Sequence, residues 1–209
     1  MKKLCISIAL IFSLSLLLCS AASAATISPV APAVDPEHLE KTACYARILG
    51  YNKDQNTLTV ELIVPEVFTW EDVQALQVGD SIYSGGQEIA IETLKWNDSG
   101  EVLWINDTDV GLIELSDGSG DYSAMEEYGD NIWDVLAAIE GPVKDDLLFL
   151  DYIDESSGDM KSLPFVRTAD EFLDRLENGP VAFDANNVYV VFDGSGNLDS
   201  IQRYYVPWQ

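Results

Sequence analysis

The chain has 209 residues, with 36 acidic side chains against 11 basic ones, a single histidine and a formal net charge of −25. A charge of that sign and size argues against nucleic acid and anionic membrane surfaces as partners. The content of Val, Ile, Leu and aromatic residues is still high enough to bury a core, unlike an acidic disordered tail.

Residues 1–24 read as a Sec-type export signal: Lys2 and Lys3, an apolar run from Leu4 to Cys19, then small residues ending in Ala22-Ser23-Ala24. Cleavage is expected near Ala24. Leu18, where a lipoprotein site wants a small residue before the cysteine, argues against lipid attachment at Cys19. No later apolar stretch approaches the ~18 residues of a spanning helix, so the mature chain is expected to be secreted or extracytoplasmic without membrane insertion. Losing Lys2 and Lys3 from the 11 basic residues leaves 9 against 36 acidic ones, a net charge of −27. It also leaves Cys44 as the single cysteine, which excludes an intramolecular disulfide.

Residues 25–42, with "PVAPAVDPEHLE", read as a proline-rich linker, and they contain the lone His38. A histidine base for serine or cysteine catalysis is therefore missing from the expected folded part, as are the ligands of a His/Cys zinc site. From Ala43 onward apolar and polar residues alternate. "CYARILGY" and "TLTVELIV" make a hairpin across "NKDQN", the second strand placing Leu58, Val60, Leu62 and Val64 on one face. In "FTWEDVQALQVGD" a short helix is expected, with Thr69 as N-cap, a Phe68–Val73 staple and Gly79 after its end. Strands follow at "QEIAIETL", "EVLWIN" and "VGLIEL". Beyond the acidic segment, further strands are expected at "NIWDVLAAI", "DLLFLDYI", "NVYVVFD" and "DSIQRYYVPW", the last two joined by the turn Gly194-Ser195-Gly196-Asn197. Between the second and third of these, "RTADEFLDRLENGP" predicts another helix, capped by Thr168 with Glu171 at N3.

The two capping threonines, each in a Pro–helix–Gly context after Pro65 or Pro164, suggest two tandem similar units. The expected fold class is mainly β with two short helices, arranged as small β-barrel-like or β-sandwich units. The first unit would span 43–115 and be barrel-like, and the second, with one short helix, would span 116–209.

Three chemistries compete for the acidic and aromatic residues. From Asp117 to Asp159 there are 13 acidic residues and only one base, Lys144. A divalent cation would relieve their repulsion, and Asp117, Asp121, Glu126 and Glu127 are the candidate calcium ligands. The EF-hand pattern fails, because counting from Asp117 the sixth position is Tyr122 and the twelfth is Tyr128. Paired acids such as Asp145 with Asp146, or Asp151 with Asp154, raise a small Asp/Glu-dependent hydrolase. Aromatic residues near strand ends, Trp96, Trp208 and Tyr204, are the candidate ligand contacts, whereas Trp104 and Trp133 share parity with core positions. The favoured reading is a secreted, non-enzymatic interaction or ligand-binding β-module whose partner is a protein, a glycan or a cell-wall ligand. Its alternatives are a calcium-stabilised structural domain and the small hydrolase. Apart from calcium, no cofactor is expected.

Overall fold

The computed structural model describes residues 24–157, 159–179, 183 and 187–204. In chain order the strands are β1 (Thr26–Ile27), β2 (Ala43–Asn52), β3 (Thr57–Pro65) and β4 (Val67–Phe68), followed by helix α1 (Trp70–Ala75). Next come β5 (Ser81–Ser84), β6 (Gln87–Ala90), β7 (Leu94–Trp96), β8 (Val102–Ile105), β9 (Val110–Glu114) and β10 (Tyr122–Met125). The chain continues through β11 (Trp133–Pro142), β12 (Leu148–Asp154), β13 (Asp159–Arg167), α2 (Ala169–Asn178), β14 (Val188–Phe192) and β15 (Leu198–Arg203). The protein is thus mainly β, with two helices among the described residues. Its sheets stay open, in a sandwich-like arrangement, and do not close into the barrel that is one of the two expected forms.

The alternation in β2 and β3 buries Cys44 and Ala46 with Leu58, Val60 and Leu62 on one face of a seven-stranded sheet ordered β11-β3-β2-β14-β15-β12-β13. Helix α2 covers that face through Phe172, with Leu173 and Leu176 packed alongside. A second cluster, around Phe68, Val73, Ile82, Leu103, Ile105 and Leu112, lies between a three-stranded sheet (β1-β5-β6) and a five-stranded sheet (β4-β10-β9-β8-β7). β3 pairs antiparallel with β11 from Pro65↔Trp133 to Thr57↔Pro142, so residues 66–132 leave the seven-stranded sheet and return to it one strand away. The strand grouping therefore differs from a division at 115/116: the β2–β3 hairpin shares its sheet with β11–β15, not with β5–β9. Pairing between distant strands decides this, and sequence adjacency carries no sign of it.

Local signals hold where they rest on local chemistry. Thr69 Oγ1 accepts from Asp72 N at the start of α1, and Thr168 with Glu171 forms a complete capping box at α2. The two helices pack against different clusters. Residues 25–42 are more than a tether. β1 pairs parallel with β5, Val30 N donates to Val67 O, Ile27 is buried in the second cluster and Leu39 in the first. The strand expected over "QEIAIETL" is split by Asn106, whose Oδ1 accepts from Glu92 N and Thr93 N and whose Nδ2 donates to Ala90 O. Five strands, β1, β4, β5, β10 and β13, lie outside the segments marked by alternation. β10 has all four residues buried, inside the acidic run; β13 is an edge strand that tolerates Pro164. The expected export signal, residues 1–24, lies outside the described residues except for Ala24. Among the described residues no helix is long and apolar enough to cross a membrane.

One ion cluster fastens the end of the large sheet. Arg203, fully buried on β15, donates from Nε to Asp151 Oδ1 (3.1 Å) and from Nη2 to Asp151 Oδ2 (2.9 Å), while its guanidinium lies 4.8 Å from the Phe183 ring centroid. Asp151 Oδ2 also accepts from Arg167 Nε on β13, and Arg175 of α2 approaches it to 3.8 Å. Glu155 takes a further bond from Arg203 Nη2 at 2.7 Å. Asp151 is therefore an internal counter-ion and not half of an acid/base pair facing solvent. Asp154, its partner in the hydrolase reading, has its pKa lowered to about 2 by bonds from Ser156 and Lys161. Removing one charge from a buried pair costs about 3–5 kcal/mol. Asp151→Asn is expected to lower the urea-unfolding free energy by that amount; a loss below about 1 kcal/mol would show that the cluster contributes little.

Candidate ligand-binding cleft

The side chains that alternate with the core residues of the large sheet face away from α2, and several are aromatic. Tyr45 stands between the inward-facing Cys44 and Ala46, and its cross-strand partner on β14 is Tyr189. The two rings meet edge-on at 5.3 Å. Trp133, the first residue of β11, tilts against Tyr45 with ring centroids 4.9 Å apart. Tyr204 follows the buried Arg203 and so points to the opposite face. Burial, and then a hydrogen bond with Tyr45, push the Tyr204 phenol well above its ordinary value, which keeps the hydroxyl protonated. With Gly129, Asp130, Asn131 and Met160, the rings of Tyr45, Trp133 and Tyr204 line a cleft of about 310 Å³.

Trp133 occupies this position because of a β-bulge. Val135 pairs with Ile63 but Ala137 pairs with Leu62, so the alternation reverses within β11. Leu136 and Ile139 pack on the first core cluster, whereas Trp133 and the exposed Val135 lie on the outer face. Parity alone would have put Trp133 in the core. Trp104 departs from that expectation too: its neighbours Leu103 and Ile105 are the ones in the second cluster.

Of the expected ligand contacts, Tyr204 lines this cleft. Trp96 lies in a separate groove of about 370 Å³ with Lys95, Asn97, Asp98, Trp104 and Asp107, and Trp208 lies outside the described residues. The four expected calcium ligands do not converge. Asp117 and Asp121 precede β10 and Glu126 and Glu127 follow it, and the five steps from Asp121 to Glu126 span roughly 16 Å of extended chain. The first two are already engaged in holding the backbone. Asp117 accepts from Ser119 N, which lowers its pKa, and Asp121 accepts from Trp70 N at the head of α1. Among the described residues no group of three or more His, Cys, Asp or Glu side chains is placed to hold a metal ion. Burial raises the Cys44 thiol to about 11, in keeping with an inert core residue.

Behind the cleft lies a group that sequence reasoning missed. Glu66, 1% exposed, sits where the chain leaves the large sheet, and Asp134, next to Trp133, sits where it returns. Glu66 accepts from Gly85 N at 2.8 Å and from Ser84 Oγ at 2.5 Å, and its own amide donates to Ile132 O. Burial is the largest influence on its pKa and raises it; the Ser84 and Gly85 bonds oppose that, and Asp134 adds to it. The alternation gave no warning because a glutamate directly after Pro65 reads as a loop residue.

No family model matches the chain, and neither a curated protein nor a solved structure matches it. Two outcomes follow from the geometry. Because Glu66 holds its proton more tightly folded than unfolded, its contribution to stability is present in acid and is lost as pH rises through the raised value. Glu66→Gln keeps a neutral hydrogen-bonding group there, so its melting temperature should gain on the native chain as pH rises above the ordinary glutamate value and level off once the raised value is passed; parallel curves would contradict the assignment. Since the acidic ligands are divided by β10, millimolar calcium should raise the melting temperature no more than sodium chloride of matched ionic strength.

Proposed function

We propose that the mature chain is an extracytoplasmic, non-enzymatic binding module that takes a neutral glycan, of the kind found in cell walls or surface polysaccharides, in the cleft between Tyr45, Trp133 and Tyr204. The observation that carries this reading is the convergence of three half-buried rings on one opening whose rim offers the Asn131 amide and the Asp130 carboxylate. Rings provide flat apolar area, and hydroxyl, amide and carboxylate groups orient a ligand rich in hydroxyls. The Tyr45 contacts with Trp133 and Tyr189 fix the rings before a ligand arrives, which lowers the entropy lost on binding. The chain's strong negative charge disfavours polyanions, so an uncharged chain of sugars fits the site better than a phosphate-bearing one.

The test is calorimetric titration of the mature protein with neutral cello-, xylo- and chito-oligosaccharides. At least one series should bind, and Trp133→Ala should weaken it by more than about tenfold, the scale of one lost ring contact in a desolvated site. Asn131→Ala, which keeps all the rings, should weaken it less. If all three series fail to bind, the glycan reading is wrong.

A further inference from the structure

The second aromatic groove is joined to the cleft by a single line of cross-strand neighbours. Lys95 pairs with Trp104, Trp104 with Gly111, Gly111 with Met125, and Met125 bridges to Asn131, which lines the cleft. Cross-strand partners share a face, so these five residues form one row across the five-stranded sheet, on the side opposite Leu103, Leu112 and Ala124 of the second cluster. Four strand spacings of ~4.8 Å give a row of roughly 19 Å. Gly111 shapes it. A Cβ there would stand 2.8 Å from Trp104 Cζ3 and 3.0 Å from Met125 Cγ, so the absent side chain lets the Trp104 indole lie across β9 toward Met125. The ring is thereby laid along the row between the groove and the cleft.

We propose that the cleft and the Lys95/Trp104 side of the groove are two ends of one track for a linear, uncharged polysaccharide. This rests on the glycan reading of the cleft and extends it from a single sugar contact to a chain. The row runs across the strands, and the main-chain N–H and C=O groups beneath it are spent in the β8–β9–β10 ladders. A ligand along the row therefore meets side chains: the Trp104 ring, Lys95, Asn131 and the cleft rings. That favours a ligand recognised by ring stacking and hydroxyl contacts over an extended peptide, which gains its affinity by pairing with a free strand edge.

The experiment measures affinity against chain length, from disaccharide to hexasaccharide, for the series that binds the mature protein. The track predicts that the hexasaccharide binds at least about tenfold more tightly than the disaccharide, the factor expected for one further ring contact. Trp104→Ala should remove most of that gain and, independently, the exposed-site variant Lys95→Ala should reduce it, both leaving disaccharide affinity unchanged. Trp96, paired with Leu103 and packed on Tyr122 on the other side of the sheet, is a control whose change to Ala should leave the gain in place. Trp133→Ala should weaken both lengths. Equal affinities at all lengths, or a length gain untouched by both Trp104→Ala and Lys95→Ala, would overturn the track while leaving the cleft reading in place. Absence of binding at every length overturns both. Saturable binding of oligolysine that vanishes with salt, in place of sugar binding, would also overturn both and would point to charge-driven docking.

Discussion

The antiparallel ladder between β3 and β11 is the constraint from which the arrangement of the molecule follows. It closes a long excursion, residues 66–132, so that departure and return lie one strand spacing apart. Closing a loop of that length carries an entropy cost that grows only slowly with length, and a ladder from Thr57↔Pro142 to Pro65↔Trp133 offsets it with paired main chain and buried apolar contacts. Because the ends are fixed, the strands they lead into are fixed as well. β4 adds to the edge of the five-stranded sheet through β10, and Glu66 N and O are bonded to Ile132 and Ala124. The junction is thus built from three neighbouring segments, and Trp133 enters the cleft from the last of them.

The cleft is also a by-product of core packing. In β2 the residue pair Cys44 and Tyr45, and at the end of β15 the pair Arg203 and Tyr204, each send one side chain into the interior and the next out to the cleft. A one-residue slip of either strand would exchange the two and drive a tyrosine into the ion cluster or the apolar core. Arg203, held by Asp151 and flanked by Phe149 and Phe183, therefore sets the direction of Tyr204 from behind the sheet. The buried charges act on the outer face by fixing register, without touching a ligand.

What the sequence made legible was whatever depended on near neighbours. Thr69 and Thr168 announce their helices because a cap is satisfied within three residues, and the hairpins around 52–57 and 193–197 announce themselves by turn chemistry. The outward direction of Tyr204 was readable from alternation in the last strand. Three kinds of feature were not readable. The β3–β11 pairing joins segments far apart in sequence, and the Asp151–Arg203 pair likewise spans 52 positions, so neither leaves a local pattern. The bulge in β11 reverses parity without a glycine or proline to mark it. Strand β10 is hidden by composition: "YSAM" is short and lies between acidic turns, so the surrounding charges suggested a calcium-binding segment where the structure has a buried strand.

The excess of negative charge has a different meaning once the basic residues are located. Arg47, Lys53, Lys144, Lys161, Arg167, Arg175 and Arg203 all lie in ion pairs with Asp or Glu side chains, each spanning two elements or closing a turn. Lys144 and Asp193 illustrate the pattern: Asp193 accepts from Lys144 Nζ at 2.7 Å and also from Ser195 N and Asn197 N, fixing the β14–β15 turn. Most of the scarce cations are thus consumed by the fold, which leaves a surface dominated by unneutralised carboxylates. Such a surface repels polyanions and keeps copies of the chain apart, and it supplies little specific attraction to a neutral polymer. On the proposed glycan reading, recognition would therefore fall to rings and amides, the groups that the outer faces of the two larger sheets place in line.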